Sequence, residues 1–146
     1  AVPALTPATD DTVITVVEVT FNKFVRNITN ANGGAVGTTF GGNSYYATAG
    51  SVTAVKDDVL EYLIQVTAPA GTTLTGVRFA DTLPPFTTYD PNSTMLNGSS
   101  TGAADSGGNS PLVGAGMLVN DSGSAVTSGT VAAGTTASVT VRVVVD

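Results

Sequence analysis

Cysteine, histidine and tryptophan are absent from this chain of 146 residues, and only 11% of its residues are charged. Without cysteine no disulfide can staple the fold, so stability must come from a packed core. At this length a single domain can bury roughly 70% of its unfolded surface. Without histidine or cysteine, neither a Ser-His-Asp nor a Cys-His arrangement can be assembled, and a zinc site would have to be built from carboxylates alone. No phosphate-cradling glycine loop precedes a helical pattern. A carboxylate pair of the glycosidase kind is the remaining catalytic device. Glu18, Glu61 and Asp81 fall on separate expected strands, however, where a solvated outer face accounts for them. The chain is expected to be non-enzymatic and to need no cofactor.

Positive charge is equally scarce. Lys23, Arg26, Lys56, Arg78 and Arg142 are the only cations, against a net charge of −6. Five scattered cations cannot neutralise a run of phosphates, so nucleic acid and anionic membrane surfaces are poor partners. No apolar run approaches the ~20 residues that span a bilayer. The opening Ala1-Val2-Pro3 has no basic leader segment and suits a mature secreted chain whose signal peptide has been cleaved.

What the chain has is β-branched residues in alternation, separated by glycine, proline and asparagine. Pro3 and Pro7 make the first eleven residues an extended arm. The run from Thr12 to Val25 is too long for one ordinary strand of about 5–6 residues. It places Val13, Thr15, Val17, Val19 and Phe21 on one face, and its other face also begins apolar with Ile14 and Val16. Residues 27–43 read as a long loop or irregular hairpin, and a strand follows from Tyr45 to Val55, interrupted at Gly50. From Val59 to Thr67, Leu60, Tyr62, Ile64 and Val66 share one face. Leu74–Leu83 is a further strand with Val77 and Phe79 inward, closed by Pro84-Pro85. Residues 97–109 read as loop, and Pro111–Val119 and Ala125–Val131 as short strands. In the last segment Val139, Val141, Val143 and Val145 are expected inward, with Ser138, Thr140 and Arg142 outward. Seven to nine short strands without a helix point to an all-β, Ig-like sandwich, with a barrel as the alternative. Residues 1–20 form an N-terminal extension and 21–146 the sandwich domain.

The stretches Lys56–Thr67 and Leu74–Thr94, with Asp81-Thr-Leu-Pro84 the most specific part, and the ending Gly129–Asp146 are similar to the DUF11 family of surface-protein repeat domains. Asp57-Asp58 stands where that family has Gly-Asp, and Ala68-Pro-Ala-Gly71 where it has Asn-Thr-Gly. The resemblance covers about residues 56–146. It implies an Ig-like sandwich on a microbial cell surface, with no catalytic role.

Four further features invite chemistry. Asp105, Asn109 and Asp121 lie in loops rich in Gly, Ser and Asp that could offer oxygen ligands to calcium, although their spacing fits no defined loop motif and plain turns explain them. Asn27, Asn92, Asn97 and Asn120 each open an N-glycosylation sequon, with Asn97 and Asn120 the expected acceptors if the host glycosylates. Lys23 is a candidate for an isopeptide crosslink promoted by Asp81 or Glu61, against the plainer reading of a strand lysine with its head in solvent. The N-terminal run, lastly, is either the domain's own first strand or a donor that completes the sheet of a neighbour. In the second reading Val13, Ile14, Val16, Val17, Val19 and Phe21 fill the neighbour's groove. Five or six such side chains at about 1.5–3 kcal/mol each would contribute on the order of 10 kcal/mol before ordering costs. A head-to-tail contact of that kind does not close on itself and propagates a fibre.

The expected function is therefore a structural subunit of an extracellular, pilus-like filament, a homopolymer with surface glycans or neighbouring filaments as further partners. The alternative is an adhesin or glycan-binding module of a larger cell-surface protein.

Overall fold

A computed structural model describes residues 18–47, 50–101, 105, 108–123 and 128–146. Ten strands and no helix occur among them: β1 (Thr20–Asn27), β2 (Val36–Phe40), β3 (Asn43–Ala47), β4 (Val59–Thr67), β5 (Arg78–Phe79), β6 (Thr87–Tyr89), β7 (Met95–Leu96), β8 (Ser99–Ser100), β9 (Met117–Leu118) and β10 (Thr136–Val145). The all-β sandwich expected from the alternating pattern is present, but its two layers are very unequal. One sheet has eight strands in the order β2-β3-β1-β4-β10-β7-β8, with β6 also on β10; the other is only β5 and β9.

The large sheet is organised by β4 and β10, which pair antiparallel from Thr136↔Thr67 to Val144↔Val59. On the other side of β4, β1 pairs from Thr20↔Thr67 to Asn27↔Leu60. The inner face of this sheet carries Ile64 and Val66 from β4 and Ala137, Val139 and Val141 from β10. Phe79, Leu112, Met117, Val119 and Val131 belong to the same buried cluster from the covering layer and its connections. Tyr62, Leu74, Val77 and Leu83 pack at its rim.

Several expectations are corrected. Of the two readings of residues 27–43, the irregular hairpin is the one present: β2 and β3 pair with a register shift between Val36 and Thr38, and the two-residue turn Gly41-Gly42 joins paired Phe40 and Asn43. Both glycines have positive φ, the conformation that a tight hairpin turn demands. The strand expected from Tyr45 to Val55 ends at Ala47. Leu74–Leu83 and Pro111–Val119 shrink to β5 and β9, because they run as irregular chain that forms a ladder with each other only where the two meet. Of Ala125–Val131, residues 125–127 lie outside the described residues, 128–130 form no strand, and Val131 makes only an isolated bridge with Leu74. Strands β6, β7 and β8 arise where no strand was expected, since pairing with β10 or with each other supplies what local pattern lacked. Ser138 and Thr140, expected outward, are buried, and Val145 is only partly so. The central strands are covered on both faces, and their polar residues bond sideways: Ser138 Oγ accepts from Gln65 Nε2 at 3.0 Å.

The small sheet depends on Gly116. Its φ is +71°, and a Cβ there would stand 2.0 Å from the Phe79 carbonyl oxygen, inside the β5-β9 contact. Gly116→Ala is expected to cost about 2 kcal/mol or more in urea-induced unfolding, from the left-handed backbone and the displaced strand together. Alanine at the exposed, negative-φ position Gly34, where only Ser51 lies within 4.0 Å, should leave the midpoint nearly unchanged.

Candidate functional site

The inner face of β1 loses its cover along its length. Register places Phe21, Lys23, Val25 and Asn27 on the same face as Val66, Ile64, Tyr62 and Leu60. Val25 and Asn27 are buried and Lys23 is half-buried, but Phe21 is 60% exposed although it faces the core side. Val19, just before the strand, is 45% exposed. Among the described residues the covering layer has no strand beyond β5 on this side, and a cleft of about 410 Å³ is lined by Phe21, Lys23, Ile64, Arg78, Phe79, Ala80 and Asp81. The Phe21 ring meets Phe79 edge-on with centroids 5.7 Å apart.

Of the residues assigned to a donor strand, Val13, Ile14, Val16 and Val17 lie outside the described residues. Phe21 sits inside its own domain's β1, paired with Val66, so the domain's own strand begins at Thr20. Of the rim formed by Arg78, Ala80 and Asp81, only Asp81 was anticipated, as an acid beside Lys23. An inward Phe79 is legible from alternation, but that β5 has β9 as its one strand partner among the described residues depends on the other layer.

Lys23 and Asp81 do meet. Lys23 Nζ lies 2.5 Å from Asp81 Oδ2 and 5.0 Å from the centre of the Tyr62 ring. Burial, and then the Asp81 charge, push the Tyr62 hydroxyl up from its ordinary pKa. An isopeptide bond would need a further acid beside the pair. Glu61 is three residues before Ile64, hence on the opposite face of β4, where it is held by other partners. With side chains 29% and 27% exposed, the pair reads as an ion pair tying β1 to the covering layer. Intact-mass measurement is expected to return the sequence mass; a protein lighter by one water that stays crosslinked after denaturation would show the bond formed.

Glu61, expected on a solvated face, is instead 4% exposed. Its Oε1 lies 2.7 Å from Arg26 Nη2 and accepts from Tyr45 Oη at 2.6 Å, while its Oε2 accepts from Arg142 Nε at 2.7 Å. The cluster joins β3, β1, β4 and β10 side by side. Burial pushes the Glu61 carboxyl up, but hydrogen bonds from Tyr45, Arg142 and Arg26 outweigh it and hold the pKa below the ordinary 4.5. Burial and the bond to Glu61 push the Tyr45 hydroxyl well above its usual range. Because the folded-state pKa of Glu61 is depressed, its charge stabilises the fold above about pH 4.5 and that contribution disappears as pH falls through the depressed value. Glu61→Gln is expected to cost on the order of 2 kcal/mol near neutral pH, with the gap to the natural protein closing in acid. Thermal melts of both proteins across the acid range check this.

Most of the remaining candidates are engaged in bonds within the fold. Asn27 is buried, and its Nδ2 donates to Thr53 O at 3.0 Å and Asp58 Oδ2 at 2.8 Å, so in the folded domain its sequon is closed. Asn97 Nδ2 donates to Asn120 O at 2.7 Å and Gly123 O at 3.2 Å, which occupies an amide expected to accept glycan. Asn120 Oδ1 accepts from Thr130 N at 3.1 Å, and Asn92 is exposed at the surface. Asp105 is buried, bonded to the Tyr89 hydroxyl and, at 2.9 Å, to Thr94 N. Asp121 Oδ2 accepts from Thr135 Oγ1 at 2.6 Å and Ala132 N at 2.9 Å, bonds that lower its pKa. Asn109 is exposed, and no group of three metal-ligating side chains occurs among the described residues.

No helix among the described residues is long and apolar enough to cross a membrane. No family model, curated protein or solved structure matches this chain.

Proposed function

We propose that this chain is a non-catalytic subunit of an extracellular, pilus-like filament, an Ig-like domain of the DUF11 kind that polymerises head to tail through its N-terminal β-branched run. The observation that carries this reading is Phe21. It lies on the core side of its sheet yet is 60% exposed, at the mouth of a cleft whose covering-layer wall is the Arg78–Asp81 stretch. An apolar side chain on a core-facing position, beside an open groove, is a surface prepared for another strand. The chain supplies such a strand in Val13, Ile14, Val16 and Val17. Scarcity of charge, absence of histidine and cysteine, and carboxylates engaged in internal bonds all favour a structural role over chemistry.

Removal of residues 1–17 leaves intact every pairing of β1 with β4 and should yield a folded monomer. Negative-stain microscopy is expected to show uniform filaments from the full chain and none from the shortened one. Filaments from both would remove the donor role from this run. Monodisperse particles from both would favour a single adhesin module instead.

A further inference from the structure

We infer that the receiving edge in this assembly is the outer edge of β5, at Arg78 and Ala80, and that its occupant is the Val13–Val17 segment of a second copy of the chain. The inference rests on the filament reading and goes further by naming the edge and the occupant.

The edge is defined by the ladder. β5 pairs only with β9 among the described residues, through Arg78↔Leu118 and Phe79↔Met117. Val77 O accepts from Val119 N at 2.9 Å, and Asp81 N donates to Leu112 O at 2.9 Å. Hydrogen-bonding direction alternates along a strand, so the N–H and C=O groups of Arg78 and Ala80 point away from β9. Both residues are exposed. An uncovered strand edge over an apolar cleft is an arrangement that folded proteins normally blunt or fill.

The space fits a strand. One laid on this edge runs about 4.8 Å from β5 and, as part of the covering layer, about 10 Å above the large sheet. That position is beside Phe21, which the domain leaves exposed, and the half-buried Lys23. Five extended residues span about 17 Å, the length of Val77–Asp81. Val13 to Val17 is five residues in which either face presents two apolar side chains, Val13 and Val17 or Ile14 and Val16. The Lys23–Asp81 ion pair closes one end of the cleft.

Chain reach favours a second copy over the domain's own segment. Only Glu18 and Val19, both exposed, separate Val17 from Thr20, which is already paired with Thr67. Three residue steps span at most roughly 10 Å, the full distance between layers, with no length left to reverse direction. A neighbour's segment enters without that turn.

Ala80→Pro tests the edge, because proline removes the edge N–H while Ala80 itself is exposed and outside β5. The variant is expected to stay folded and form no filaments, yet to keep its own donor segment. Mixed with the protein lacking residues 1–17, which keeps only the acceptor, it should give a one-to-one dimer and nothing longer. Normal filaments from Ala80→Pro would overturn the assigned edge. If the deletion still abolished filaments in that case, the filament reading would stand alone. Hydrogen exchange on unsubstituted sequence gives a second measure that survives a misfolded variant. The Arg78 and Ala80 amides should exchange on the order of 100-fold more slowly in filaments than in the shortened monomer. Equal rates would overturn the edge. A full-length monomer in which both amides are already protected would place the segment in its own groove and overturn both readings.

Discussion

β4 and β10 lie side by side in antiparallel register from end to end, and the other parts of the molecule are arranged by what this pair requires on each face and each flank. Its inner face is aliphatic and needs a covering layer, which β5, β9 and their connections provide. On its outer face a carboxylate at Glu61 stands between Arg26 on β1 and Arg142 on β10, with Tyr45 of β3 completing the set. A charge with so little solvent is tolerated because four neighbouring strands each deliver or hold a partner, and the cost of desolvation is offset by those bonds. The same bonds fix the lateral order β3-β1-β4-β10, since a shift of register by one residue would move an arginine to the wrong face.

The unequal layers follow from that arrangement. Among the described residues eight strands on one side face two strands and their connections on the other, and Val19 and Phe21 at the start of β1 are left exposed. Folding alone leaves Phe21 in water there, at a position where the rest of the strand becomes buried. On the reading proposed above, the open cleft beside β5 and the β-branched run that precedes β1 in the sequence belong to a subunit whose fold is completed by association. In such a protein stability and polymerisation are the same free energy measured at different concentrations.

Polar residues divide between loops and core in a way that limits chemistry. Asp105 and Asp121 lie in segments whose composition suggested calcium, yet each is hydrogen-bonded to backbone and hydroxyl donors that hold neighbouring loops together. Asn27 and Asn97 do the same with their amides. Small polar residues that read from sequence as surface decoration therefore serve as internal ties in a fold that has no cysteine to crosslink it.

Alternation along Val59–Thr67 and the final valine-rich segment was enough to determine the all-β class, the two central strands and the inward set Ile64, Val66, Val139 and Val141. Period-two patterning is local and survives any choice of neighbours. It could not indicate that Ser138, Thr140 and Glu61 are also buried, because burial on the second face depends on which strands arrive there. Nor could it indicate that Leu74–Leu83 would contribute only a two-residue strand and one isolated bridge, or that Met95–Leu96 would join β10. The cleft was illegible for the same reason: Phe21 belongs by pattern to a core face, and only the extent of the opposite layer decides that this face is left open. Sequence by itself determined what each strand could bury; tertiary structure decided where cover ran out, because pairing and covering are relations between segments distant in the chain.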